Sequence, residues 1–416
     1  MDIIEIMKYR IFAFSLVITA LPAFAAEGVR TLPDTADAMA VYGGQLTIVD
    51  SPSVTRSNPA SLTKIQETEV QMTYQVYHQK TDFTNTLGVS DSSLMPNKNL
   101  GSAYIAVPVN DTMTAGLGIS APFGISMNFP REGAFRYTGA YDATLQTFAI
   151  NPALGLKLND KLSIGFGLDI FHSKLRLEQR YPWGPLLGAS IPDGDAVFDG
   201  NGWGLGAYMG INYDFGERHH LALTGRLPVS VDYEGDFDIS NIPAPGLALP
   251  KTPFESEVKH PGSISIGYGY DVSESLRIGT DFNWIQNSTH DDVPLMIGAN
   301  QPLLGGANAI PLDWDDSISV GIGAEYDLTE SLVLRAGYQY ADSPMNSRTF
   351  NPSVPADDRH TVSVGFGYEW GPNSIDFAYS KLIMADTDIR GNVQPAYNGL
   401  YKHDWDILTL SFTRRF

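Results

Sequence analysis

The sequence predicts an all-β chain, a 14-stranded antiparallel transmembrane β-barrel with an N-terminal plug, or hatch, inside its lumen. Three observations carry that prediction. Segment after segment alternates apolar with small polar side chains; beyond residue 26 no apolar run approaches the roughly 18 residues of a spanning helix; and residues 26–66 do not share the alternation. Composition narrows the partners. Among 416 residues, 47 Asp+Glu outnumber 27 Lys+Arg for a formal charge of −20, and no basic stripe offers the counterion release that nucleic-acid binding requires. With no Cys, a disulfide framework, a thiolate metal site, an iron–sulfur cluster and a cysteine nucleophile are all excluded.

Residues 1–25 read as a signal peptide. Lys8 and Arg10 precede the apolar run of residues 11–21, and Ala23 and Ala25 are the small residues a signal peptidase reads before Ala26. The run is too short to cross a bilayer, so the expected destinations are the periplasm, the exterior or the outer membrane. The bland alternative is an amphipathic first helix of a cytoplasmic protein.

Residues 26–66 are expected to form the hatch. They are rich in Ala, Gly, Pro and Asp, with turn formers at Gly43, Gly44, Pro52 and Pro59. A wall of about fourteen strands encloses a lumen too wide for its own side chains to fill, so a small domain folded inside it solves both problems. A loose periplasmic tail is the alternative.

Residues 67–416 are expected to form the barrel. Ile264, Ile266, Tyr268 and Tyr270 share one strand face, as do Ile318, Val320 and Ile322, and Val362, Val364, Phe366, Tyr368 and Trp370, while Ser and Gly fill the intervening positions. A soluble sandwich would bury the apolar face and a barrel would turn it to lipid, so alternation alone leaves both open. Aromatic side chains at the strand ends beside short turns favour lipid, as does a second face built of Gly in place of Lys, Glu and Thr. The last strand, ending on Phe416 with Leu408, Leu410 and Phe412 in register, has the form that barrel assembly machinery reads. Short polar turns near residues 110, 159, 217, 272, 328 and 372 alternate with long segments centred near 90, 132, 190, 245, 300, 350 and 394, which gives fourteen strands with both termini on the short-turn, periplasmic side.

Two outer loops are apolar where loop tips are normally polar. One carries Trp183, Leu186 and Leu187; the other carries Ile242, Leu247 and Leu249. Such surfaces mark binding sites, or else the loops pack on one another as a lid. In the third strand, Pro122, Phe123 and Gly124 interrupt the ladder, because Pro lacks an N–H and Gly tolerates unusual dihedrals. That is either a lateral opening or the end of the strand. Parity sends Arg277, Asp281, Glu325, Arg335, Glu369 and Arg415 into the periplasmic end of the lumen, where structural pairing is expected. Higher up, Arg136, Lys174 and Arg176 are the candidates for a carboxylate contact.

The segments Ala36-Asp37-Ala38-Met39-Ala40, Asp50-Ser51-Pro52-Ser53 and Asn58-Pro59-Ala60-Ser61-Leu62 resemble the plug of the FadL/TodX family of outer-membrane transporters, with Asn58, Pro59 and Ala60 as the hatch motif. The likeness continues through Pro122-Phe123-Gly124-Ile125, Asn151-Pro152-Ala153, Trp314-Asp315-Asp316-Ser317, Arg335-Ala336-Gly337-Tyr338 and residues 355–360. This resemblance implies passive passage of long-chain fatty acids or aromatic hydrocarbons, first capture by the apolar loops, and lateral release through an inward kink of the third strand. The partners expected are a hydrophobic small-molecule ligand, outer-membrane lipid and lipopolysaccharide, and the barrel assembly machinery, for a monomer with no cofactor and no metal. An outer-membrane lipolytic enzyme and a plain diffusion porin remain the alternatives.

Overall fold

A computed structural model describes residues 28–94, 96–138, 141–354 and 357–416; the predicted signal peptide, residues 1–25, lies outside the described residues. The chain forms a closed antiparallel barrel of 14 strands. They are β1 Glu69–Asn85, β2 Asn97–Asn110, β3 Met113–Asn128, β4 Asp142–Asn159, β5 Leu162–Tyr181, β6 Gly194–Asp214, β7 in two pieces (His219–Arg226 and Val229–Ile239), and β8 in two pieces (Lys251–His260 and Ser263–Asp271). β9 Leu276–Ile285, β10 Ser317–Thr329, β11 Leu332–Ala341, β12 Arg359–Trp370, β13 Asn373–Met384 and β14 Gly399–Arg415 complete the wall. Closure comes from β1 against β14, paired from Glu69↔Arg415 to Asn85↔Gly399. Short turns join the strands at one end and longer connections at the other, as the spacing of turn residues predicts.

The apolar faces point outward. Ile264, Ile266 and Val364 are 48 %, 49 % and 51 % exposed, whereas Ser319 and Ser363 on the opposite face are 0 % and 1 %. A sandwich core would show the reverse, so this surface is the lipid-facing band of an outer-membrane barrel. Strands β4, β5 and β6 run for 18, 20 and 21 residues, about twice the 9–11 that a tilted strand needs to cross hydrocarbon. Their upper halves therefore stand clear of the lipid, and polarity inverts there. In β5 the inward residues become Phe171, Leu175 and Leu177, all buried, while Lys174 and Arg176 face out.

β7 and β8 are broken at one level. Their ladder stops at Arg226↔Ser263 and resumes at Val229↔His260, leaving Pro228 opposite Pro261, neither of which has an N–H to donate. Pro228 and Pro261 are the sequence signal of this break. Two backbone bonds compensate for the break: Gln286 N donates to Gly262 O at 3.0 Å and Leu227 N to Ala207 O at 3.0 Å.

Elements within residues 28–66 pack against strands from β3 round to β14. The short helix α1 (Ala36–Ala40) packs on β11 to β14, α2 (Gln45–Ile48) on β7 to β10, and α3 (Val54–Ser57) with the 3-10 turn Pro59–Lys64 on β3 to β6. Glycine makes these approaches possible. A Cβ on Gly337 would sit 2.6 Å from Tyr42 N, and one on Gly165 would sit 2.6 Å from Pro59 O. The Asn58 side chain accepts from Ala60 N at 3.2 Å, capping the turn, and shares a 2.7 Å hydrogen bond with Asn212 of β6. At the periplasmic end Glu325 accepts from Arg277 and, at 2.7 Å, from Arg335, which also reaches Asp376 at 2.6 Å. Asp281 accepts from Leu46 N at 3.2 Å, Arg277 lies 3.6 Å from Asp50, and Arg415 pairs with Glu369 at 3.0 Å. The inward charges tie the wall to itself and to the N-terminal segment.

Gly165→Val tests this packing. The added methyls meet backbone of residues 59 and 60, so we expect destabilisation of about 3 kcal/mol, the upper end for overpacking, and a planar-bilayer conductance above the wild-type baseline. Conductance and thermal midpoint both equal to wild type would contradict the contact.

Candidate ligand cavity and wall break

The ladder between β2 and β3 runs only from Asn110↔Met113 to Ala103↔Ile119. Above that level β3 bulges between Ser120 and Phe123 against β4, then continues to Asn128. Pro122 thus interrupts the strand and does not end it. On the side that β2 leaves, the N-terminal segment takes over: Thr31 N donates to Pro122 O at 3.0 Å, Thr31 Oγ1 to Ala121 O at 2.8 Å, and Gly124 N to Val29 O at 2.9 Å. Leu94 N bonds Asn128 O at 2.6 Å and closes the top of the gap. Phe123 is buried, with its ring stacked on His260 at 4.4 Å and edge-on to Phe171 at 5.7 Å.

Directly beside this break lies an apolar cavity of about 60 Å³, lined by Val29, Leu145, Leu175, Val258, Leu312, Trp314 and Val354, with His290 and Ser353 also in its wall. That volume corresponds to roughly four to six water-sized positions, the scale of one aromatic ring or a short alkyl segment. Val29 belongs to both features, since its side chain lines the cavity and its carbonyl holds Gly124. Sequence reading missed His290, Val29 and Ser353. The available signal was Ile310, Leu312 and Trp314, which alternate through an outer loop that should otherwise be polar.

Two other cavities are less suited to apolar cargo. One of about 70 Å³ between the N-terminal segment and the wall is lined by Asp34, Gln45, Arg56 and Arg226, a setting for water. The other, about 450 Å³ and open to the lipid side, lies at the β7–β8 break among Phe166, Leu227, Pro228, Ile264 and Trp284. Its inner end is stopped by Arg226, which pairs with Asp169 and donates to Arg56 O at 2.7 Å.

The outer-loop residues separate into anchors and exposed groups. Trp183, in α4 (Trp183–Leu187), is buried and donates from Nε1 to Ser240 O at 3.1 Å, and Ile242 packs against the same core. Leu186, Leu187, Leu247 and Leu249 are exposed. Asn300 accepts from Leu249 N at 2.9 Å and donates to its carbonyl at 2.7 Å, fixing one loop on the next. The three candidates for a carboxylate contact are each paired within the protein. Lys174 and Arg176 stand on the outer face, paired with Asp199 at 3.2 Å and 3.0 Å, because the polarity of β5 inverts above the lipid. Arg136 lies in an outer loop, 3.8 Å from Glu132 and over the Tyr137 ring.

The family model described as "Outer membrane protein transport protein (OMPP1/FadL/TodX)" matches residues 16–416. A putative outer membrane protein of Neisseria meningitidis serogroup B is 26 % identical over 411 residues, covering 86 % of this chain and 88 % of that one. The long-chain fatty acid transport protein of Escherichia coli O6:H1 is 24 % identical over 381 residues, covering 82 % and 83 %. Among solved structures, a Pseudomonas aeruginosa FadL homologue superposes with a TM-score of 0.81 at 19 % identity over 94 % of this chain and 100 % of that one. The P. putida toluene transporter TodX gives 0.72 at 18 % identity over 93 % and 99 %. At these identities the structural likeness concerns the fold.

His290 provides a pH test of the cavity. Burial lowers its imidazole from 6.5 to about 4, although the Asn287 backbone pulls the other way. Below about pH 6.5 the unfolded chain takes up a proton that the folded chain refuses, so stability falls as pH drops toward 4, by up to about 3 kcal/mol. We expect the urea midpoint to fall over that window and to fall less in His290→Phe; equal acid limbs in the two proteins would contradict the burial.

Proposed function

Because the chain belongs to the OMPP1/FadL/TodX family of outer-membrane transport proteins, we propose that it takes up small hydrophobic molecules passively and releases them sideways into the bilayer through the β2–β3 gap. Family membership supplies the class, transport of fatty acids or hydrocarbons across the outer membrane. The route is the finer step. Apolar cargo gains nothing from a wet pore, since exposing its surface to water costs about 25 cal/mol per Å². It needs apolar surfaces in sequence and an exit that avoids water.

The exposed Leu186, Leu187, Leu247 and Leu249 serve as the first apolar surface, held in place by Trp183 and Ile242. The cavity around Val29 and Trp314 is the second. From there the ligand passes the Phe123–His260 stack and leaves where β2 and β3 share no ladder bond. The single observation that carries this reading is the double role of Val29, which makes the cavity and the break neighbours within one residue. The β7–β8 break is a poorer exit because Arg226 and its partners would have to part first. In this reading residues 26–66 act as a hatch, with Asn58, Pro59 and Ala60 as its fixed point on the β4–β6 wall, and the terminal strand ending on Phe416 is the element the assembly machinery reads for a barrel that works as a monomer among lipid and lipopolysaccharide.

Pro122→Ala combined with Gly124→Val restores ladder-competent residues at the kink. If straightening adds only about 1.4 kcal/mol to the exit barrier, uptake of dilute oleate and of toluene by a permeability-deficient strain falls about tenfold. Uptake equal to wild type at equal surface expression would overturn lateral release through this strand.

A further inference from the structure

The cavity lining is mostly apolar; its polar residues are Thr144, Asn351, His290 and Ser353, and the last two are buried with no partner. His290 is 3 % exposed and Ser353 is 5 % exposed; the Asn287 backbone lies beside the imidazole, but neither ring nitrogen of His290 nor the Ser353 hydroxyl makes a hydrogen bond of normal geometry among the described residues. Both line the cavity, and the His290 ring lies 4.7 Å from that of Trp314. A buried polar group left unpaired is costly, and such groups in native structures ordinarily meet water or a ligand. No Lys or Arg among the described residues lines this cavity, so a carboxylate entering it would be an uncompensated buried charge.

We propose that the cavity selects an apolar molecule carrying one neutral hydrogen-bonding group, such as a phenol, alcohol or ketone, whose oxygen pairs with His290 and Ser353 while its hydrocarbon body fills the space among Leu145, Leu175, Leu312 and Trp314. The inference rests on the transport reading above and narrows it. His290 is the versatile partner: a neutral imidazole offers one donor and one acceptor, so it serves a hydroxyl or a carbonyl, with the Ser353 hydroxyl as the second contact. A plain hydrocarbon fits the same space and leaves both groups unpaired. An acid fits only after losing its charge.

Toluene, p-cresol and p-toluate share one ring and differ in the polar group alone. Binding of each is measured by calorimetry on the full barrel in lipid nanodiscs, with empty nanodiscs as the blank. One net hydrogen bond makes p-cresol about three- to tenfold tighter than toluene, and p-toluate is weaker than p-cresol by at least about tenfold. His290→Phe brings the p-cresol to toluene ratio down to about one, and Ser353→Ala lowers it part of the way; the heat-dependent gel shift of a folded barrel confirms that each variant is intact. A wild-type ratio of one, or a ratio that survives both substitutions, overturns the polar-group assignment while leaving the cavity reading in place. Failure of all three compounds to bind overturns the cavity reading and this inference together.

Discussion

In hydrocarbon every backbone N–H and C=O must find a partner within the protein, and the whole molecule is arranged around that constraint. Closure of β1 on β14 satisfies it for the barrel as a whole. Where the wall departs from a regular ladder, substitute partners are supplied. At the β7–β8 break two prolines face each other, so fewer donors need satisfying, and Gln286 and Leu227 provide the remaining bonds. At the β2–β3 gap the substitute is Val29 and Thr31 of the N-terminal segment. That segment therefore packs along the wall and also supplies backbone partners where β2 and β3 part.

A second consequence follows from strand length. Within the lipid the wall is apolar outside and glycine-rich inside, which lets short helices approach the backbone closely. Above the lipid the same strands reverse, with charges outside and Phe171, Leu175 and Leu177 inside. The reversal creates an apolar interior at the level of the β3 break, while a second cavity, against the N-terminal segment, is lined by Asp34, Arg56 and Arg226. An apolar molecule is favoured by the first surface and disfavoured by the second.

Much of the fold was legible in the sequence because a lipid-facing wall imposes a strict period of two, and turns cannot avoid Gly, Asn and Asp. The strand count, the outward set that includes Ile264 and Val364, and the interruption at Pro122 all follow from that pattern. The same period misled where strands leave the bilayer. Lys174 and Arg176 keep the parity of Phe166 and Leu168, so they face out, yet their charge suggested a lumen pocket. The paired breaks at Pro228 and Pro261 were not expected because each proline looks like an isolated irregularity until β7 and β8 are set side by side. His290 and Ser353 come from separate loops, and only the folded structure brings both to the cavity that Val29 lines.

The central claim is that apolar cargo enters above the hatch and leaves through the wall. A photoreactive phenyl diazirine analogue of toluene, activated in outer membranes containing the protein and mapped by mass spectrometry, tests it most directly, counting only adducts that excess toluene suppresses. The account predicts adducts at the cavity residues Leu145 and Trp314, at Phe123, and at the facing edges of β2 and β3. Suppressible adducts running instead along Asp34, Arg56 and Lys64 toward the periplasmic end would show that cargo travels down the lumen, and would contradict it.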